Sequence, residues 1–474
     1  MPAGHRARWL EAFIDGCDLS PLEQAYAGLG SAAYRPDLMI KVVLLEVFEG
    51  RPSPAQWARD VRENEPPKWI GRGIRPSRTA LYDFRDRLGG TIQELHASMV
   101  QQAIREGLID PRQGVQDGTF TRACASRHRT INLTVLQRRH AELQAAIAQD
   151  ELGQSPAAVP RWMAQTPAGR SEQSQRYQKA EETLKKRLAE NARRPKDKRL
   201  AEDKVTVSTS DPEAPMGRDK EKVFCPLYTS QVMVEPNSLV VLAFDVFAQA
   251  TDTGTLAPML DRAAAVIGWQ LDSVTADAAY ATLLDLQECQ QRGVELFAPV
   301  QENNFTAKKR AERPRDGIDR QQFTWLPDEQ TYACPQGHRL KYTSKERKRR
   351  RGDQSVIEYR YQCSPDHCRG CPLAGRCVRN PMKGRIIKRL ENQELLDAHR
   401  AKMATPEAQV QSKRRGEVIE RAFADAKQHR GLRKHHGRGI HRARAEVGLV
   451  ILAQTAQTIH RLRETRAKAD ENSS

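Results

Sequence analysis

Between Leu227 and Pro299 strand and helix signals alternate, and that alternation limits the fold more than any other feature of the chain. Apolar runs at Leu227–Val234 and Leu239–Phe247 flank Glu235-Pro236-Asn237-Ser238, whose residues favour a turn. A helix is predicted from about Leu256 to Ile267. Leu271 to Asp277 then reads as a buried strand ending in an aspartate, Ala279–Arg292 as a helix and Val294–Pro299 as another strand. Such an order builds an α/β layer structure with a mixed sheet. Upstream, Val115–Thr119 reads as the end of a strand entering a turn, so Asp117 and Asp277 both sit where strands are expected to stop.

The 474 residues suggest about three domains, at roughly 150 residues each. Residues 1–110 read as a helical domain. Asp37 precedes the apolar stretch Leu38–Leu45 and Gly50 closes it, Ser53-Pro54 opens a helix through Trp57 and Val61, and Ser77 opens another through Leu81, Phe84 and Leu88. A further helix is expected from Thr91 to Ile104. These short helices fit a helix-turn-helix reader of DNA or an ordinary helical bundle. Residues 111–130 and 205–302 are expected to form the first part of the α/β core, interrupted at 131–204 by a polar, basic insert that reads as a helical hairpin or a partly mobile arm. Residues 303–390 read as a loop-rich, basic, cysteine-bearing insert, 391–465 as helical, and 466–474 as a disordered tail.

Lysine and arginine total 77 against 60 acids, and the resulting net charge of +17 points to a polyanionic partner, usually nucleic acid. No run approaches the roughly 20 apolar residues of a membrane span, and no apolar signal core follows Met1. The expectation is a cytoplasmic, nucleoid-associated protein. Nine cysteines without a signal do not suggest a disulfide framework. Five crowd together, and Cys334, Cys368, Cys371 and Cys377 are spaced for a structural four-thiolate zinc site, with Cys363, His338 and His367 in reserve. Reduced cysteines packing without metal remain the alternative.

A third acid, Glu420, falls on a predicted helix beside Ile419 and Phe423, which are four apart and face the core. Three carboxylates brought together need cations, and hard oxygen ligands select Mg²⁺ or Mn²⁺. Spacing alone would not single these three out of 60 acids.

Gln116-Asp117-Gly118-Thr119, then Ala276-Asp277-Ala278-Ala279-Tyr280, then Glu420 with Lys427 seven residues on, resemble the three catalytic segments of DDE transposases of bacterial insertion sequences. Ser210-Asp211-Pro212-Glu213-Ala214, Asp252 with Leu256, Tyr82-Asp83-Phe84-Arg85 and the cysteine cluster are similar to the same group, in the same order. The resemblance implies an RNase H-like mixed-sheet core with a helical N-terminal domain, a helical insert and a zinc-ribbon-like insert. It also implies a DNA transposase in which Asp117, Asp277 and Glu420 hold two Mg²⁺ or Mn²⁺ ions for cleavage at the element ends and strand transfer. Glu417 is the runner-up third acid. The family's tyrosine before the glutamate has no obvious counterpart, and Ala424 stands where glycine is common.

Arg415 and the basic stretch with Lys427, Arg430, Arg433 and Arg438 are expected to meet DNA phosphates. Tyr280 is either a further DNA contact or a packing aromatic. The expected partners are double-stranded DNA, both terminal repeats and target, and a second copy of the chain, since two ends must be joined. A DNA-binding regulator derived from a transposase, or a nuclease that only hydrolyses, are the alternatives.

Overall fold

A computed structural model describes residues 1–26, 34–154, 156, 158–194, 196–300, 317–349 and 355–473. The start of the cysteine-bearing segment and the end of the basic run Lys345–Arg351 lie outside the described residues. The chain forms two compact units. One comprises Met1–Thr275, Gly293–Glu295 and Lys413–Ser474, the other Ala276–Arg292 and Leu296–Ser412.

The first unit begins with helices α1 (Arg6–Asp15), α2 (Ser20–Gln24), α3 (Pro36–Phe48), α4 (Pro54–Glu63), α5 (Glu65–Ile70) and α6 (Arg78–Arg105). Proline opens α3 and α4 at the first turn, where its missing N–H costs nothing. Ser77 caps α6 by accepting from the Ala80 amide at 3.0 Å. The break expected near Gly89-Gly90 does not occur, and α6 runs unbroken for 28 residues. Gly89 is there for approach: a Cβ on it would lie 2.5 Å from the His441 ring.

Next come β1 (Gln113–Arg122), β2 (Thr130–Ile131), and the two helices of the predicted hairpin, α7 (Leu133–Glu151) and α8 (Pro167–Ala192). Leu136, Leu143, Tyr177, Ala180 and Leu184 bury the seam between them. Then follow β3 (Val207–Ser208), β4 (Met216–Arg218), β5 (Phe224–Val234), β6 (Val241–Phe247), α9 (Leu256–Ile267) and β7 (Ser273–Thr275). The sheet is mixed, as expected. β5 runs antiparallel to β1, β4 and β6, and β7 runs parallel to β1.

The second unit carries α10 (Leu283–Arg292), and β8 (Glu295–Phe297) begins on the last residue of the intervening piece of the first. The loop-rich expectation for the cysteine-bearing segment is wrong. It holds an antiparallel sheet ordered β13-β12-β11-β10-β9: β9 (Thr324–Leu326), β10 (Thr331–Ala333), β11 (Arg339–Arg349), β12 (Ser355–Cys363) and β13 (Ile386–Leu390). Apolar alternation is missing from β11, where residues 341–347 are all exposed, and Glu346 pairs instead with Lys348 beside it and with Arg360 across on β12. Short helices α11 (Pro365–Arg369) and α12 (Ala374–Cys377) precede β13, and α13 (Gln393–Met403) follows it.

α14 (Pro406–Ala424) leads back into the first unit, passes into a π-helical turn at Asp425–His429, and is followed by α15 (Ile440–Ser473). Residues 466–473 continue α15 as helix where a disordered tail was expected, since nothing between Arg461 and Asn472 breaks a helix. No described helix is long and apolar enough to cross a membrane.

Candidate active site

Asp117 lies in the middle of β1, which corrects the strand-end reading. The parallel pairing with β7 stops at Val115 opposite Thr275, while pairing with β5 continues to Arg122. At Arg122 a new partner arrives: Lys434 bridges to it, and the His435 amide donates to its carbonyl at 2.8 Å. Asp117 therefore falls between two neighbours on that side of the strand. The Gly118 that suggested a turn serves the opposite face, where a Cβ would lie 2.1 Å from Gln231 Nε2 and 2.2 Å from Asp252 Oδ1. Gln231 donates to Asp252 at 2.7 Å and accepts from Gln116 at 3.2 Å, so a polar network backs the strand.

Asp117 and Thr119 share the other face, as alternate residues of a strand must. Asp117 Oδ1 accepts from the Gly118 amide at 2.7 Å, and Oδ2 from Arg415 Nη1 at 2.7 Å. The Lys427 ammonium donates to the Thr119 hydroxyl. Arg415, Ile419, Phe423 and Lys427 recur every four residues, so one side of α14 and its π turn carries two buried apolar residues flanked by cations. Glu420 lies one position off that seam and is exposed, and so is Glu417. Burial first, then the charges of Lys220 and Arg433, pushes the Lys427 ammonium down to about 8.

Asp277 belongs to the second unit, two residues beyond the last residue of β7. Its Oδ1 accepts from the Ala279 amide at 2.7 Å and caps the turn Ala278–Tyr280. Tyr280 is fully buried, which favours the packing alternative over a DNA contact.

The predicted DNA-contacting cations divide. Arg433 and Arg438 are exposed. Arg430 is not available for a phosphate: it is 4% exposed, donates to Asp425 at 2.5 Å and Gln457 at 2.6 Å, and lies 4.6 Å over the Phe48 ring. Arg415 is occupied by Asp117. The sequence reading missed the frame of this loop. Asp211 accepts from Tyr228 at 2.7 Å and from the Gly439 amide at 3.1 Å, and Glu213 accepts from the Ile440 amide at 2.9 Å. Both acids thus satisfy free N–H groups at the start of α15. Glu446 accepts from the amides of His436 and Gly437. A long helix beginning just past Gly439, with acids upstream in need of partners, was the available signal.

In the second unit, Cys334, Cys363, Cys368, Cys371 and Cys377 line one small cavity with His338 and His367, whose rings stack at 4.2 Å. Burial, then a hydrogen bond with Cys368, pushes the Cys363 thiol up to about 12. All nine cysteines are free thiols. Among the described residues, no group of three or more His, Cys, Asp or Glu side chains is arranged to hold a metal ion.

Two family models match the chain. Residues 333–460 match a transposase DDE domain, a span that contains the cysteine cluster, Arg415, Glu420 and the basic loop. Residues 1–87 match a transposase domain (DUF772). Separate transposase families at the two ends support a DDE-type insertion-sequence transposase, with a mixed α/β structure consistent with such a core. No curated protein matches the chain.

Proposed function

We propose that the protein is a DNA transposase with an RNase H-like core, in which Asp117, Asp277 and Glu420 are the catalytic carboxylates. The observation that carries this reading is Asp117. It stands mid-sheet where the strand's neighbour changes, and a guanidinium on the same helix as Glu420 balances its charge. A carboxylate in that setting attracts a cation, and an all-oxygen donor set suits Mg²⁺ or Mn²⁺. Bound divalent cations would activate the attacking oxygen and stabilise the leaving one. Arg415 releases Asp117 for that purpose and turns to a DNA phosphate. Lys427, held by Thr119, and exposed Arg433 and Arg438 position the backbone. Water attacks the phosphorus at the element end and the bond to the 3′ oxygen breaks. The freed 3′-hydroxyl then attacks target DNA, displacing one 3′ oxygen there. The helices of residues 1–110 read the terminal repeats, and two copies of the chain join two ends. Cys334, Cys368, Cys371 and Cys377 are the proposed ligands of a structural zinc, supported by their convergence on one cavity.

Cleavage of duplexes bearing the element ends, in Mg²⁺ and in Mn²⁺, tests the assignment of the third acid. Glu420→Gln is expected to abolish cleavage while retaining DNA binding, and Glu417→Gln to retain both. The reverse pattern would move the role to Glu417.

A further inference from the structure

The hairpin of α7 and α8 has no part in the reaction above, yet the loop that follows α8 is built with care. Past Ala192 the chain makes a tight loop in which Arg193, Arg194, Lys196, Lys198 and Arg199 are all exposed, against a single acid, Asp197. Asn191, 7% exposed, closes this loop with both atoms of its amide, donating to the Leu200 carbonyl at 2.7 Å and accepting from the Leu200 amide at 2.9 Å. Arg199 donates across the loop to the Arg194 carbonyl at 2.7 Å. A solvated run of charge needs no clasp, and repulsion would favour its spreading out. Here cations are gathered and pinned, which is worthwhile when a polyanion neutralises them.

The base of the loop is fixed as firmly. Arg187 donates to the carbonyls of Thr206 at 2.9 Å and Ala214 at 3.0 Å. That same strip holds Asp211 and Glu213, which fix Gly439 and Ile440 and so the end of the loop carrying Arg433 and Arg438. One strip of chain therefore anchors two exposed basic loops.

We propose that the loop of Arg193 to Arg199 is a second contact for the backbone of duplex DNA, acting with the Arg433–Arg438 loop. The inference rests on the reading of the protein as DNA-binding. It assigns to this loop at the end of α8 the job of gripping the duplex without reading its sequence, because five exposed cations held on a closed loop meet phosphates and no base edges.

Salt titration of the full-length protein on a labelled duplex tests it. Each lost phosphate contact lowers the slope of log affinity against log salt by about 0.9. Replacing Arg193, Arg194, Lys196, Lys198 and Arg199 together by glutamine is expected to lower the slope by roughly 2 to 4 and weaken binding at least about tenfold at moderate salt. A control replaces Lys341, Arg379, Lys383, Arg461 and Lys468, exposed cations outside the hairpin, and removes the same net charge. It is expected to stay near wild type. Equal slopes for the loop variant and wild type, or equal losses in loop variant and control, would overturn the proposal. Absence of DNA binding by the wild-type protein would instead remove the DNA-binding reading on which it depends.

Discussion

Glu46 offers a stability test whose size follows from the structure. It lies on α3, fully buried, and neither carboxylate oxygen makes a hydrogen bond of normal geometry. Asp60 of α4 is its neighbour, and Arg51 reaches both acids, 3.5 Å from Glu46 and 3.3 Å from Asp60. Burial first, then the Asp60 charge, pushes the Glu46 carboxyl from 4.5 to about 8, with Arg51 opposing. The folded protein thus holds this proton more tightly than the unfolded chain, so the group's contribution is fully present below pH 4.5 and is lost as pH rises through about 8. At about 1.4 kcal/mol per tenfold in proton affinity, the whole effect has a ceiling of about 5 kcal/mol, with about 3 kcal/mol falling between pH 5.5 and 8.5. Glu46→Gln keeps the shape and removes the titration. Urea unfolding at the two pH values should show the variant gaining on wild type by about 2 to 3 kcal/mol as pH is raised, after allowance for partial relaxation around the charge. A constant difference between the two proteins would refute the buried, proton-holding carboxyl. The site matters beyond stability, because α3 leads to Gly50, whose α-carbon packs on the His429 carbonyl at the end of the π turn.

Gly118→Ala should destabilise the fold by about 1 to 3 kcal/mol, because the added methyl strikes the hydrogen-bonded side-chain ends of Gln231 and Asp252. A melting temperature equal to wild type would contradict that close approach. Arg430→Met should cost about 1 to 3 kcal/mol by removing its hydrogen bonds to Asp425, which keeps Gln454, and to Gln457, and should leave DNA affinity unchanged wherever the variant is folded. A selective loss of affinity would restore Arg430 as a phosphate contact. With the Lys427 ammonium near 8, DNA affinity should fall about three- to tenfold from pH 7 to 9 in wild type and stay level in Lys427→Arg. Parallel pH profiles would show that Lys427 does not touch the DNA.

Much of the α/β core was legible because its apolar runs are bounded by strong turn residues, and α9, α10 and β5 to β8 fall close to where they were expected. What stayed hidden depends on contacts distant in sequence. Gly118 looks like a turn until Gln231 and Asp252 are placed beside it, and Gly89 looks like a break until His441 is. The charged sequence of β11 and β12 resembles a loop because cross-strand ion pairs, Arg360 with Glu346 and Lys388 with Glu358, stand in place of apolar packing. Among the site residues, composition marked the basic loop as a whole but could not separate exposed Arg433 from buried Arg430. Only the position of Phe48 and Gln457 decides that.

The most direct test of the central proposal is a joining assay on DNA carrying the element's own ends, with wild type and Asp277→Asn compared in Mg²⁺ and in Mn²⁺. The substitution removes a carboxylate charge with little change of shape, and the amide of Ala279 can still be capped by the asparagine oxygen. The account predicts joined products from wild type alone, with both proteins binding the ends equally. Joined products from Asp277→Asn at the wild-type rate would contradict it.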